Sequence, residues 1–142
     1  MLDALRAELP AADALIMAAA VADFRPAEPA ERKLHKGEIP AALRLVRNPD
    51  ILAELSPLKG SRIFCGFAAE TDDVLASAAG KLARKGLDLL VANDVTKPGA
   101  GFAVETNVVT FLRPGAAPEP LPLLPKIDVA RRLVAALEGL RR

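Results

Sequence analysis

The residues best suited to chemistry in this sequence lie in one short stretch, "ADFRPAEPAERKLHK" (22–36). Asp23 follows an apolar run directly, and three basic side chains come close behind it, Lys33, His35 and Lys36. An aspartate at the end of a strand can hold a hydrated Mg²⁺ that bridges phosphate oxygens, and cations on a loop can neutralise a polyphosphate. The stretch therefore predicts phosphate chemistry, with a helix cap or a surface ion pair for Asp23 and a solvated charged surface for the cations as the alternatives.

Two further pairs of residues are candidates for the same site. Lys81 and Lys85 are spaced by one helical turn and face the same side of a predicted helix, where favourable charge at the helix C-terminus is the alternative explanation. Asn93 and Asp94 end an apolar run, where they equally suit a turn. Because ligands of parallel sheets bind beyond the carboxyl ends of the strands, these residues are expected to converge there.

Composition argues against several other kinds of site. One histidine, His35, and one cysteine, Cys65, are too few for a zinc site, and a cysteine inside a strand is usually inert. Neither a GxxxxGK[ST] motif nor a GxGxxG motif after a strand is present. A net charge of +1, five Phe and no Trp or Tyr argue against binding of nucleic acid.

The same composition bears on location. The apolar runs are too short to span a membrane. A single cysteine and the absence of a charged-then-apolar leader favour a reducing compartment. We therefore expect a cytoplasmic protein without membrane partners.

The elements that must position these residues alternate along the chain. Strands are predicted at four short runs, 14–22, 43–48, 62–69 and 87–94. Helices are predicted at four segments, 2–9, 49–57, 71–86 and 126–142. The last helix is expected to bury the side formed by Ile127, Ala130, Leu133, Val134 and Leu137.

Two of the helix starts carry recognisable signals. Asn48 is expected as the N-cap of the second helix, with Pro49 at the first helical position and Asp50 beside the positive helix end. Thr71 is expected to cap the third helix, which ends in basic residues and Gly86. For Asn48 and Thr71, capping alone is the simpler interpretation.

The order of elements predicts an α/β protein with a Rossmann-like, mostly parallel sheet and helices on both faces. We expect a single domain, 1–142, since its length suits one core. Prolines and glycines mark residues 24–41 as a flexible flap. The runs "VVTFLRP" and "EPLPLL" predict edge or hairpin strands in a small β appendage at about 95–124.

Several segments in order resemble the phosphopantothenoylcysteine synthetase family, which in bacteria is usually the C-terminal half of a bifunctional protein with a flavin decarboxylase. They are "AAAVADFRP", "KLHK", "LVRNPDIL", "GFAAET" and "KLARKGLDLLVAND", within about 14–110. The resemblance implies a ligase of coenzyme A biosynthesis. In that family, CTP activates 4'-phosphopantothenate as an acyl-cytidylate with loss of pyrophosphate, and cysteine then displaces CMP, so the resemblance implies the same reaction here.

The resemblance also implies cofactors, partners and residue roles. Mg²⁺ and CTP would be bound, the chain would form a homodimer with a dimerisation role for the β appendage, and FMN would belong only to a fused decarboxylase half. Asp23 would bind the metal and triphosphate. Lys33, the first residue of the family's K-x-K-K flap pattern, would contact phosphate and act in amide formation. His35 replaces a lysine of that pattern, so the charge at this position depends on pH.

Further roles follow from the resemblance alone. Pro49 and Phe67, the latter with its main chain, would frame the cytosine. Lys81 and Lys85 would reach the nucleotide. Two residues would lie on the pantothenate side or at the dimer contact, Asn93 and Asp94.

One part of the family pattern has no counterpart. Nothing before Ala14 resembles the glycine-rich strand–turn–helix segment that carries the family's catalytic asparagine. The chain is therefore expected to be a C-terminal portion of a synthetase, with its activity alone in question. An NAD(P)-binding Rossmann oxidoreductase fragment and a non-catalytic dimerisation module are the alternatives.

Overall fold

The computed structural model describes residues 1–38, 41–70, 74–101 and 103–141. Strands in this part of the chain are β1 (Ala14–Met17), β2 (Phe24–Pro26), β3 (Leu45–Arg47), β4 (Ile63–Glu70), β5 (Leu89–Asp94), β6 (Thr106–Asn107), β7 (Val109–Leu112), β8 (Glu119–Pro120) and β9 (Leu124–Pro125). Helices are α1 (Leu2–Glu8), α2 (Ile51–Leu55), α3 (Val74–Lys85) and α4 (Lys126–Glu138), with short 3₁₀ turns at Leu9–Ala11 and Ser56–Leu58.

The main sheet has the strand order β1–β4–β5–β7–β8. β1, β4 and β5 are parallel, with Ala14 opposite Ile63 and Cys65 opposite Leu89. β7 and β8 continue the sheet in antiparallel pairing at one margin. Parallel neighbours need a long crossover, which here contains the helices, whereas β7 and β8 are joined by a turn. The predicted α/β class with a mostly parallel sheet is confirmed.

Each face of the sheet carries its own hydrophobic core. On one face, strand residues pack against α1, α2 and α3, and the buried members are Leu9, Leu15, Met17, Ile51, Leu52, Leu55, Phe64, Leu82, Leu87, Leu90, Ala92 and Leu112. On the other face α4 covers the sheet, and the buried members are Ile63, Cys65, Leu89, Val91, Val109, Phe111, Leu121, Val129, Leu133 and Leu137. Alternate residues of β5 serve opposite cores, as expected for a strand buried on both faces.

The first two predicted strands differ from the structure. β1 ends at Met17, so the prediction of a strand over 14–22 was too long. The alanine-rich residues that follow are exposed, since small side chains have little to pack on a sheet. β3 is shorter than the predicted 43–48 strand and pairs antiparallel with β2 in a separate two-stranded sheet. The prediction that this second strand joins the parallel sheet was therefore wrong.

The start of α2 also differs from its prediction. The N-cap is Asp50, whose carboxylate accepts a hydrogen bond from the Ala53 N–H at 3.3 Å. Pro49 precedes the cap and is not helical. The prediction of Asn48 as the cap was wrong, because the Asn48 side chain is bonded elsewhere.

The end of α3 agrees with its prediction. Gly86 adopts a left-handed φ of +61°, and the Leu87 N–H donates to the Leu82 carbonyl at 3.0 Å. This is the hydrogen-bond pattern of a glycine-terminated helix. The predicted cap at the other end, Thr71, lies outside the described residues.

The buried side of α4 is rotated from the predicted one. Val129, Leu133 and Leu137 are buried, whereas Ile127 is 59% and Val134 49% exposed. Both sets recur at helical spacing, so periodicity alone does not choose between adjacent rows. Packing against the sheet beneath the helix determines which row is buried.

The segment predicted as a β appendage, at about 95–124, contributes strands to the margin of the main sheet and to a short separate ladder. β7 and β8 belong to the main sheet, and β6 pairs with β9 in a short ladder with Thr106 opposite Pro125. Its role in dimerisation stays a prediction. No helix among the described residues has the length and apolar character needed to cross a membrane.

Candidate functional site

A cavity of about 530 Å³ lies on the face of the main sheet that α2 and α3 cover. The segment that follows β1, the start of α2 and the last turns of α3 form its walls. Its charged lining residues are Asp23, Asp50, Lys81 and Lys85. With Phe67, the structure thus brings together four of the predicted site residues at the carboxyl ends of β1 and β4, where parallel sheets bind ligands.

The floor of the cavity depends on a glycine in β4. A Cβ added to Gly66 would lie 2.9 Å from Leu87 Cδ1 and 3.4 Å from Leu52 Cδ1. The missing side chain therefore lets these leucines pack closely against the strand. Phe67 also borders the cavity. Because it alternates with Gly66 and shares the face of Cys65, its ring is directed toward the α4 side, and its main chain is the part nearer the cavity.

An ion pair crosses the cavity wall. Lys85 Nζ lies 3.2 Å from Asp50 Oδ2, and both side chains are partly buried. Asp50 therefore joins the start of α2 to the end of α3 while it caps α2. Lys81 and Lys85 both place a cationic side chain on this wall of the cavity.

Asp23 is held by contacts on both sides of its Cα. The Asn48 N–H donates to the Asp23 carbonyl at 2.8 Å, and Asn48 Nδ2 donates to the Ala22 carbonyl at 2.7 Å. Asn48 Oδ1 in turn accepts a hydrogen bond from Arg25 Nη1 at 2.9 Å. These hydrogen bonds of Asn48 were not predicted from the sequence, because their partners, Ala22 and Arg25, lie more than 20 residues earlier, at the other end of the flap.

The described part of the flap, up to residue 38, is closed by a bidentate pair. Arg32 Nη2 and Nη1 donate to Glu38 Oε1 and Oε2 at 2.6 and 3.0 Å, and the His35 N–H donates to Glu38 Oε2 at 2.8 Å. The bonds from Arg32 and from the His35 amide hold the pKa of Glu38 below its usual value, and the same carboxylate raises the pKa of Arg32. This closed loop presents Lys33, His35 and Lys36, all exposed. The part of the predicted flap at 39–40 lies outside the described residues.

Four predicted site residues do not line this cavity, Lys33, Pro49, Asn93 and Asp94. Pro49 borders an adjacent cavity of about 520 Å³ together with Asn48. Asn93 lies on the α4 side, opposite Val109, and its Oδ1 is buried without a hydrogen-bond partner among the described residues. Asp94 accepts bonds from the Thr96 hydroxyl and amide, which lower the pKa of Asp94.

The donor set fits only a metal ion that is shared with phosphate. Over the described residues, no group of three or more His, Cys, Asp or Glu side chains could hold a metal. Mg²⁺ usually keeps water and binds through one or two carboxylates plus substrate phosphates. Asp23 in the cavity suits that arrangement. Cys65 offers no ligand, because burial, with the nearby Asp88 charge, raises the pKa of its thiol to about 12.

Fold and cavity together define a doubly wound α/β domain with a cavity at the carboxyl ends of its parallel strands, lined by lysine and aspartate side chains. The chain belongs to the family of the DNA/pantothenate metabolism flavoprotein C-terminal domain, whose profile matches residues 1–140. This confirms the relationship that the sequence motifs indicated.

Individual relatives agree with this assignment. The chain is 41% identical over 142 residues to the coenzyme A biosynthesis bifunctional protein CoaBC of Bacillus subtilis, covering 100% of this chain and 35% of that protein. It is 43% identical over 146 residues to CoaBC of Mycobacterium tuberculosis, again over 35% of that protein. The chain therefore spans about a third of the length of the curated relatives it matches.

A solved structure shows the same fold. The crystal structure of the C-terminal domain of CoaBC superposes with a TM-score of 0.75 at 37% identity, covering 98% of this chain and 62% of that chain. These relationships do not favour the oxidoreductase or the dimerisation-module alternative.

Proposed function

We propose that this chain carries the nucleotide site and flap of a phosphopantothenate–cysteine ligase. The observation that carries the proposal is the convergence of Asp23, Lys81 and Lys85 on one cavity, in a chain 41% identical to a coenzyme A biosynthesis protein. CTP is the proposed nucleotide. Lys81 and Lys85 contact its phosphates, and the cytosine lies against the main chain of Phe67 with Pro49 nearby.

The proposed reaction has two steps, activation of the carboxylate and formation of the amide. A carboxylate oxygen of 4'-phosphopantothenate attacks the α-phosphorus of CTP, an O–P bond forms, and pyrophosphate leaves. The cysteine amine then attacks the acyl carbon, a C–N bond forms, the C–O bond to phosphate breaks, and CMP leaves as the amine loses its proton. Both steps concentrate negative charge on phosphate oxygens, so fixed cations contribute more than a base would.

Asp23 is the residue that would hold Mg²⁺ beside the triphosphate. When bound, the ion would neutralise part of the negative charge of the phosphates. The lysines of α3 neutralise the remaining charge from the protein side.

The flap supplies the cover for the amide-forming step. An acyl-phosphate linkage hydrolyses in water, so a covered site protects it, and loops commonly provide such covers. Lys33 is the proposed catalytic residue, brought to the phosphate when the flap closes. Asn93 and Asp94 are proposed for the pantothenate side or a homodimer contact, and a cytoplasmic location remains part of the proposal.

The role of Lys33 is testable in a chimera in which this chain replaces the matching stretch of the Bacillus subtilis relative. We expect Lys33→Ala to slow amide formation by roughly 10²–10³, the usual cost of losing one charge-stabilising donor. The readout is the rate of phosphopantothenoylcysteine formation from CTP, 4'-phosphopantothenate and cysteine.

The matched control is Lys126→Ala, which removes the same charge from an exposed position on α4. It should leave the rate unchanged. An equal rate for Lys33→Ala and Lys126→Ala would contradict the proposed role.

A further inference from the structure

Asn48 joins the two ends of the segment between Phe24 and Arg47. Its main-chain N–H donates to the Asp23 carbonyl at 2.8 Å, and its side chain reaches one residue further, to the Ala22 carbonyl at 2.7 Å. β2 and β3 pair directly beyond this point, with Phe24 opposite Arg47. The Asn48 bonds therefore close the base of the flap.

These bonds fix the direction in which the Asp23 side chain leaves the backbone. The Ala22 carbonyl belongs to the peptide group before Asp23, and the Asp23 carbonyl belongs to the peptide group after it. Holding both peptide groups leaves the Cα–Cβ bond between them little freedom, because φ and ψ are the soft dihedrals of the chain. Asp23 itself lines the cavity.

Arg25 holds Asn48 in this orientation. Its Nη1 donates to Asn48 Oδ1 at 2.9 Å and to the Arg47 carbonyl at 3.0 Å. With Oδ1 accepting from Arg25, the amide nitrogen of Asn48 is directed toward Ala22. Both ends of the side-chain amide are thereby used, and the geometry distinguishes its oxygen from its nitrogen.

A hairpin alone does not need this arrangement. Main-chain pairing of Asn48 with Asp23 would suffice to continue the β2–β3 ladder, and helix capping is done by Asp50. The side-chain bonds of Asn48 and Arg25 are additional, and the bond to Ala22 is the one that reaches past Asp23.

We propose that Asn48 and Arg25 are positioning residues that aim the Asp23 carboxylate into the cavity and join the cavity wall to the base of the flap. The proposal rests on the proposed function in taking a magnesium-bound nucleotide as the ligand of that cavity. Neither residue contacts the ligand in this account. They act through Asp23.

The test compares binding of CTP with Mg²⁺ and with EDTA, by calorimetry on the chain as it is. Asn48→Asp keeps the size of the side chain and the oxygen that accepts from Arg25. It replaces the Nδ2 donor with a carboxylate oxygen, which would face the Ala22 carbonyl oxygen without a hydrogen bond. We expect the gain in affinity that Mg²⁺ provides to fall about fivefold to tenfold, the usual effect of losing one hydrogen bond. Binding in EDTA should change less, and Arg25→Gln should show a similar but smaller loss.

The matched control is Asn107→Asp, which makes the same change of charge. The Asn107 side-chain oxygen accepts bonds from the Gly101 and Val108 amides, so an aspartate preserves these bonds. The inference would be overturned if Mg²⁺ increased the affinity for CTP equally in Asn48→Asp and Asn107→Asp. It would also be overturned if Asn48→Asp lowered the affinity for CTP equally in Mg²⁺ and in EDTA. Failure of the unaltered chain to bind CTP would instead overturn the proposed function.

Discussion

The lysines on α3 offer the most direct way to test whether the cavity binds phosphate. Lys81 and Lys85 line it, whereas Arg84, on the same helix, is exposed and does not. The perturbation is the change of each residue to Gln, which removes one positive charge and keeps a long polar side chain. Because the charge change is the same in all three variants, differences between them report the position and the contacts of each charge.

The expected magnitudes follow from the contacts. A hydrogen bond from a charged group contributes about 1.5–3 kcal/mol, and about 1.4 kcal/mol corresponds to tenfold in affinity. The Lys85 side chain is 26% exposed, so solvent screening favours the lower end of that range. We therefore expect roughly a tenfold loss for Lys85→Gln from its contact with phosphate, and a similar loss for Lys81→Gln, since Lys81 is also half-buried. At about 10 Å in water a charge interacts with only about 0.4 kcal/mol before salt screening, so Arg84→Gln should cost less than about twofold.

Lys85→Gln should have a much larger effect than Arg84→Gln. Its loss also leaves the Asp50 carboxylate, 3.2 Å away, without its cation. That carboxylate would then repel a nearby phosphate. The unpaired charge should add a further factor of a few to the tenfold loss, on the order of 1 kcal/mol for a charge pair at intermediate exposure.

Calorimetric titration of CTP with Mg²⁺ at low and at physiological salt would measure these affinities. The variants of the two lining lysines should also weaken the dependence of binding on salt, because each removes one contact with phosphate. Equal affinities for Lys85→Gln and Arg84→Gln would refute the assignment of the cavity to phosphate binding.

Two further predictions concern titrating groups outside the cavity. Since the bonds from Arg32 and the His35 amide lower the pKa of Glu38, the flap contact should persist as pH falls and be lost only below the ordinary glutamate value of about 4.3. A His35 amide resonance in NMR that titrates at or above that value would contradict this. Since burial raises the pKa of Cys65 to about 12, iodoacetamide at pH 8 should label the thiol only after unfolding in urea, and rapid labelling of the folded chain would show the thiol to be accessible. Because the pKa of the thiol is higher in the folded state, its contribution to the free energy of unfolding is fully present below the ordinary pKa. That contribution is lost as pH rises from about 9 toward 12.

Local signals in the sequence predicted the parts of the fold that local interactions decide. β4 and β5 are continuous apolar runs, and such runs are strands when they are short and buried on both faces. The end of α3 was predictable because Gly86 and the basic residues before it act within one turn. Lys81 and Lys85 share a side of α3 by helical spacing, so their convergence on the cavity followed from the sequence.

Tertiary contacts decided the features that were predicted wrongly. Asn48 and Asp50 are both good N-caps, and the sequence does not show that the Ala22 carbonyl is close enough to bind Asn48. The flap gave no periodic signal, so the Arg32–Glu38 pair was not predictable. The buried side of α4 is set by the sheet beneath it.

The central claim is that the cavity binds a magnesium-bound cytidine nucleotide. Parallel titrations of the chain with CTP, ATP and NADPH in the presence of Mg²⁺ test it most directly. We expect CTP to bind more tightly than ATP, and we expect no detectable binding of NADPH. Preferential binding of NADPH, or no binding of CTP, would contradict it.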